Sequence, residues 1–375
     1  MKIIFWLSFI LLLYTYFGYP LILIILAKIR LKQVIKADIT PTVTLIIPAF
    51  NEEKVIKGKI ENSLEIGYPK DKLQIIIATE GCTDHTNDIV RGYKDQGIVL
   101  MDFVEQKGKS SLYFRTVPHA KGDIIIFSDA DAILHKEAVR NIVKNFNDER
   151  IGCVEGTLKD SVKKDIQAEG IFRRYELFVK RLETGLFSSL GVTGALFAIR
   201  KNLYNPINES RGDDFEISAR ILINGSGVIS DFESVVYHPF ASNLNEFSRL
   251  IRIISFYLPS MIILLSEAMK KKKFFVVIQI VSRKLLRWAA LFIMTALFVS
   301  NLFMNKEGFY KLFLISQLIF YLLAICGYVL EKMQIKTMTI FKIPFYFCLI
   351  NLAALIGIFG YLFGKKEIHW EKTGR

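Results

Sequence analysis

Two aspartates one residue apart, Asp129-Ala130-Asp131, follow the short apolar run 123–127 (DIIIF). On an extended or turning backbone both carboxylates can approach one ligand. Hard divalent cations bind carboxylate oxygens, and Mg²⁺ takes one or two of them together with substrate phosphates. Sugar transfer from a nucleotide sugar expels a diphosphate, and a metal that neutralises this charge acts as a Lewis acid. Such a pair can also merely end a strand. The phosphatase pattern D-x-D-x-T/V is a rival, but its fifth position is occupied here by Ile133. A second acidic pair, Asp213-Asp214, stands before the helical run Glu216 to Ile223. Acidic residues there either cap the helix or act as a general base that takes the proton of an acceptor hydroxyl. Gly191 to Phe197 (GVTGALF) is a small-residue loop entering an apolar strand, suited to close backbone packing or to an acceptor-side wall. Arg249 and Arg252 are one helical turn apart, placed to grip phosphates or to face lipid head groups.

The elements that must position these groups alternate. The run 42–48 (TVTLIIP) reads as a buried parallel strand. A helical stretch opens at Asn51-Glu52-Glu53 and ends near Ile66, before Gly67 and Pro69. Further strands are expected at Leu73 to Ala78, Gly97 to Val104 and Asp123 to Phe127, with a helix over Lys109 to Val117. This order predicts a doubly wound, mostly parallel α/β sheet. Ligands bind such sheets beyond the carboxyl ends of the strands. The loops there carry Asn51-Glu52, Glu80-Gly81 and Asp129 to Asp131.

The chain of 375 residues is 52% hydrophobic, with a mean hydropathy of +0.34. Ile3 to Ala27 is uncharged and long enough to cross a bilayer, without a small-residue cleavage site, so residues 1–30 read as a retained anchor. Trp288 to Asn305, Leu312 to Leu330 and Ile343 to Gly364 read as three more spans within 288–364. Residues 40–245 read as a globular domain and 246–287 as one or two amphipathic helices on the cytosolic leaflet. The basic residues Lys28 to Lys36 and Lys270 to Arg287 flank this middle region and place it in the cytosol by the positive-inside rule. The basic tail 365–375 then falls outside, against the rule. Net charge is +13. The clusters adjoin apolar spans, so anionic membrane lipids are the expected partner and nucleic acid is not. Four cysteines without paired spacing exclude a disulfide framework.

Taken together, the segments PAFNEE (48–53), EGCTDHT (80–86), KGKS (107–110), FSDAD (127–131), GALFAIR (194–200) and DDFEI (213–217) resemble glycosyltransferase family 2, the inverting GT-A enzymes. The segments FGYP (17–20), SRKLLRW (282–288) and WEKTGR (370–375) are similar to its membrane-bound polysaccharide and glycolipid branch. The resemblance implies a Rossmann-like GT-A domain and a nucleotide-sugar donor, expected to be UDP-linked. Ala49, Phe50 and Glu52 would line the nucleotide. Glu80 stands where the family has a base-reading Asp, and Cys82 where it has Ser. Lys109 would approach the nucleotide, and Asp129 would sit at the ribose side. Asp131, with Asp129, would hold Mg²⁺ or Mn²⁺. Asp214 matches the catalytic base, and Asp213 the acidic residue before it. Arg249-Leu250-Ile251-Arg252-Ile253 keeps only the arginine of the processive QxxRW motif. One or a few sugars added to a lipid-linked or glycan acceptor is therefore expected, rather than an extruded polymer. The alternative class is a non-catalytic nucleotide-binding subunit of a membrane synthase.

Overall fold

The computed structural model describes the chain outside residues 161–167, 206–213, 239–242, 305–307, 336–337 and 364–375. Asp213, the tail and the WEKTGR segment lie outside the described residues. Eight strands form one sheet: β1 (Val43–Ala49), β2 (Leu73–Glu80), β3 (Ile98–Phe103), β4 (Ile124–Phe127), β5 (Ile133–Leu134), β6 (Ile151–Asp160), β7 (Phe197–Arg200) and β8 (Gly227–His238). Their order is β3-β2-β1-β4-β7-β6-β8-β5. The half β3-β2-β1-β4 is wholly parallel, as the alternating pattern requires. β7 then runs antiparallel to both β4 and β6, β8 is parallel to β6, and β5 is antiparallel to β8. The second half is thus mixed, because the long connection before β7 can return in either direction and apolar runs do not encode which.

Helices in chain order are α1 (Lys2–Leu13), α2 (Tyr19–Arg30), α3 (Ile56–Leu64), α4 (Thr86–Arg91), α5 (Lys109–Thr116), α6 (Ala138–Lys144) and α7 (Ala168–Thr184). They continue as α8 (Asp214–Ile223), α9 (Asn243–Lys270), α10 (Phe274–Ile280), α11 (Leu286–Trp288), α12 (Ala290–Leu302), α13 (Gly308–Lys332) and α14 (Thr339–Leu362).

The period-two alternation of the strands divides the core into two layers. Leu45, Ile47, Ile124 and Ile126 pack with Ile56 and Ile60 of α3 and with Val139 and Ile142 of α6. Ile46, Ile125, Phe127, Phe197 and Ile199 point to the other face, against Tyr113 of α5 and Phe215 and Ala219 of α8. The Phe127 and Phe197 rings stack at 4.7 Å, which fixes the β4–β7 pair behind the Asp129 loop. The same layer includes Met261, Leu264 and Ala268 of α9 and Val276 and Ile280 of α10, so these two helices share the core of the sheet domain.

Helix bounds differ from the expected ones in places. The helix read from Asn51 begins only at Ile56, because the preceding residues form a turn in which Asn51 takes a left-handed φ of 53°. The region 246–287, read as one or two amphipathic helices, contains α9, which runs for 28 residues through Pro259, and then α10. Packing on both sides of the proline offsets the missing N–H: Met261 and Leu264 pack into the core, and Ser255 Oγ donates to Gly357 O at 2.8 Å.

Four helices are long and apolar enough to cross a membrane: Lys2–Arg30, Phe247–Lys270, Gly308–Lys332 and Thr339–Leu362. The run expected as one span from Trp288 is instead α12, bent by 60° from the helix Phe274–Trp288 before it; counted as one, that pair is a fifth.

The FGYP and SRKLLRW segments meet on α7. Tyr19 Oη donates to Glu183 Oε1 at 2.6 Å, and Arg283 donates to Glu183 Oε2 and, at 2.9 Å, to Glu176 Oε2. Arg287 donates to the other oxygen of Glu176. Glu183 and Arg283 are both buried. Removing one partner of such a pair leaves an uncompensated buried charge, which costs about 3–5 kcal/mol. Glu183→Ala is therefore expected to lower unfolding stability in detergent by that order. Glu183→Leu combined with Arg283→Met should recover most of the loss. Equal stability of Glu183→Ala and the wild type would contradict the pairing.

Candidate active site

The ends of the parallel strands build the site. β1 delivers Ala49, buried at its last position, and then the half-buried Phe50 and Glu52. This loop is stitched to the one after β2. Glu52 N donates to Thr86 Oγ1 at 2.8 Å, Glu53 N to Asp84 Oδ2 at 3.1 Å, and Thr83 N to Asn51 Oδ1 at 2.8 Å. Glu80, at the end of β2, is fully buried. Its oxygens accept from Lys107 N at 3.0 Å, Gly108 N at 2.6 Å and Arg115 Nη2 at 2.8 Å. The carboxylate expected near a base thus holds the turn that launches α5. Gly108 has a φ of 95°, which glycine adopts without strain, and Lys109 follows as the first residue of α5.

Lys109 Nζ reaches Asp129 Oδ1 at 2.6 Å. Beneath that loop lies a residue the sequence did not single out. Lys59 of α3 is fully buried and donates to Ser128 Oγ at 2.7 Å and to Ala132 O at 2.5 Å. Burial pushes its value down to about 7, although Asp129 and Asp131 pull the other way. A neutral amine has two N–H groups, and both have acceptors here. Ser128 Oγ passes the connection on to Ala195 O at 2.8 Å, tying the Asp129 loop to the Gly194 loop.

His238, the last residue of β8, is a second residue beyond the sequence reading. Ile133 pairs with Tyr237 in the β5–β8 ladder, so the strand end falls beside Asp131. His238 Nε2 lies 3.1 Å from Asp131 Oδ1. Adjacent ligands of an octahedral ion with bonds of about 2.1 Å stand about 3.0 Å apart, so this pair fits one edge of a metal's coordination sphere. Among the described residues no cluster of three or more His, Cys, Asp or Glu could hold a metal ion.

Asp214 is the first residue of α8. Its Oδ1 accepts from Phe215 N at 2.7 Å and from Tyr257 Oη of α9 at 2.6 Å. The Phe215 and Tyr257 rings stack at 5.3 Å. The other oxygen, Oδ2, faces Gly194. A Cβ at Gly194 would lie 2.5 Å from Lys109 Nζ, 3.2 Å from Asp214 Oδ2 and 3.3 Å from Asp129 Oδ1. One missing side chain therefore lets three charged groups from three elements converge. Its loop is fixed from behind by Glu155, buried in β6, which accepts from Thr193 N at 2.9 Å and pairs with Lys180 of α7 at 2.5 Å. The structure thus brings together Lys109, Asp129 and Asp214, with Asp131 on the same loop. Arg249 and Arg252 lie on α9, the first exposed and the second half-exposed. At 1.5 Å per residue they stand about 12 and 8 Å before Tyr257 along the helix.

A parallel half-sheet, an acidic loop after its fourth strand and a carboxylate at the start of α8 define a GT-A glycosyltransferase domain with a mixed sheet. The chain belongs to glycosyltransferase family 2: the model for glycosyltransferase like family 2 matches residues 41–252. It is 29% identical over 201 residues to the probable glycosyltransferase YdaM of Bacillus subtilis, covering 48% of this chain and 46% of that protein. It is 27% identical over 137 residues to the poly-beta-1,6-N-acetyl-D-glucosamine synthase of Staphylococcus aureus, covering 36% of this chain and 33% of that one. The chain thus spans less than half the length of these relatives. The mannosyltransferase PcManGT from Pyrobaculum calidifontis, solved with GDP-Man and Mn²⁺, has the same fold over 97% of this chain and all of that one, with a TM-score of 0.73 at 20% identity.

Gly194→Ala tests the convergence. The methyl group displaces Lys109 and crowds Asp214 while leaving the core intact. Donor-dependent nucleotide release is expected to fall at least about 100-fold, or about 2.7 kcal/mol of barrier, with unfolding stability within about 1.5 kcal/mol of wild type. Unchanged turnover would show that these groups do not act at one point.

Proposed function

We propose that the chain is an inverting glycosyltransferase that moves a sugar from a nucleotide-sugar donor to a membrane-proximal, lipid-linked acceptor. The observation that carries this reading is the approach of Lys109, Asp129 and Asp214 to the bare Gly194 position. The donor nucleotide lies along the loops of Ala49, Phe50 and Glu52, with Asp129 on its ribose side. Glu80 contributes by holding the turn that delivers Lys109, whose ammonium meets the diphosphate. Asp131 and His238 are the residues that would hold Mn²⁺ or Mg²⁺. The imidazole is a softer donor than carboxylate and favours Mn²⁺ of the two. When bound, that ion neutralises charge on the leaving diphosphate.

Asp214 Oδ2 takes the proton of the acceptor hydroxyl as the oxygen attacks the anomeric carbon from the face opposite the diphosphate, inverting that centre. Tyr257 and the Phe215 amide hold Oδ1, so the proton-accepting oxygen keeps one orientation. Asp213 precedes this base in sequence, and Arg249 and Arg252, before Tyr257 on α9, are the cations that would grip the donor phosphates. A membrane-proximal acceptor is supported by Tyr257 belonging to α9, which packs on the sheet core by one face and on α14 through Gly357. The crossing helices are then α1–α2, α13 and α14, while α9, although long and apolar enough to cross, is held against the sheet core together with α10. The family branch favours surface polysaccharide or glycolipid synthesis.

Purified full-length protein should release UDP or GDP from a panel of nucleotide sugars. Asp214→Asn should lower turnover about 10³-fold or more while nucleotide affinity stays within a few-fold. Asp131→Ala, or chelation of the divalent cation, should abolish both turnover and tight nucleotide binding. Turnover that survives either substitution would overturn the assigned roles, and nucleotide binding without turnover of any donor would favour a non-catalytic subunit.

A further inference from the structure

The π-helical turn Val281–Leu285 and the short α11 after it carry three cations, Arg283, Lys284 and Arg287. Two are neutralised, Arg283 by Glu176 and Glu183 and Arg287 by Glu176. Lys284 is not. Among the described residues it has no hydrogen bond and no ion pair; its Nζ rests over the ring of Phe215, 5.2 Å from the centroid. Phe215 is the residue after Asp214 and stacks on Tyr257, so this half-buried ammonium stands beside the aromatic pair that clamps the base. Lys180, the next cation in this region, is already held by both oxygens of Glu155.

Three residues beyond Lys284, Arg287 is the one charged residue lining an apolar cavity of about 540 Å³ between α1, α7, α12, α13 and α14. Its other walls include Phe9, Phe172, Phe313, Phe320 and Phe347. A cation left without a carboxylate and half out of water is stabilised by an anion, and an aromatic cavity of this size takes a hydrocarbon chain. Both features lie on the segment that joins the sheet domain to the apolar helices.

We propose that Lys284 binds the phosphate of an anionic amphiphile, the acceptor lipid, whose chain enters the Arg287 cavity and whose sugar or hydroxyl is thereby presented to Asp214. This deepens the glycosyltransferase reading and rests on it for the identity of the amphiphile as acceptor. Lys284 is a binding residue, with no part in proton transfer. Arg283 and Arg287, fixed by the two glutamates, hold the turn that aims it.

The test is calorimetric binding to the full chain in uncharged maltoside micelles, with dodecyl phosphate, dodecanol, inorganic phosphate and a nucleoside diphosphate with Mn²⁺ as separate probes. Wild type should bind dodecyl phosphate at least tenfold more tightly than inorganic phosphate, and dodecanol without saturation. Lys284→Gln should weaken dodecyl phosphate tenfold or more and leave the nucleoside diphosphate within twofold. Lys284→Arg, which keeps the charge and guards against a folding defect, should stay within about threefold of wild type for dodecyl phosphate. Unchanged dodecyl phosphate binding in Lys284→Gln overturns the proposal. So does a selective loss of nucleoside diphosphate binding, which would assign Lys284 to the donor, and so does equal affinity for inorganic and dodecyl phosphate, which would remove the cavity from the site. Absence of nucleoside diphosphate binding in wild type would instead sink the glycosyltransferase reading and leave the Lys284 result standing.

Discussion

Like charges must be held close together at one sheet rim, and the rest of the structure serves that constraint. Asp129, Asp131 and Asp214 are three carboxylates that repel one another before any ligand arrives. Each has a counterweight from a different element: Lys109 of α5 at Asp129, His238 of β8 beside Asp131, and the Tyr257 hydroxyl of α9 on Asp214. Lys59 supports the acidic loop from below through Ser128 and Ala132. These groups offset the repulsion at the rim. Gly194 is the geometric counterpart, since any side chain there would occupy the point on which the groups converge.

The same contacts connect the site to the apolar helices. Tyr257 lies on a helix whose neighbouring residues pack into the sheet core and whose Ser255 bonds α14. Glu183 accepts from Tyr19 of α2 and from Arg283, and it also accepts from Leu190 N at 3.3 Å, four residues before Gly194. The Gly194 loop is thereby built on the junction with the apolar helices.

The parallel half of the fold was legible because each of its strands is a short, apolar, β-branched run closed by glycine, proline or an acidic residue. That pattern placed Asp129 and Asp131 at a strand end, where the Rossmann logic puts ligands. The antiparallel return of β7 was not legible, since strand direction leaves no trace in composition. Nor were His238 and Tyr257. Each lies far along the chain from its partner, 107 residues from Asp131 and 43 from Asp214, and meets it only through sheet pairing or helix packing. A histidine closing the β-branched run Val235-Val236-Tyr237 was the available signal for the first. Lys59 was hidden because a lysine in a helix reads as a solvated face. The FGYP and SRKLLRW segments were visible as family-like motifs, but their mutual contact on α7 emerges only in three dimensions.

The central claim is that Asp131 and His238 form one metal edge facing the donor diphosphate. Pulsed electron paramagnetic resonance of Mn²⁺ added to the purified chain with a nucleoside diphosphate tests it directly. The expected spectrum carries both ³¹P coupling from the diphosphate and ¹⁴N coupling from one imidazole, and His238→Ala removes only the nitrogen signal. Mn²⁺ that shows ³¹P coupling with no nitrogen coupling in the wild type, or nitrogen coupling that persists in His238→Ala, would contradict it.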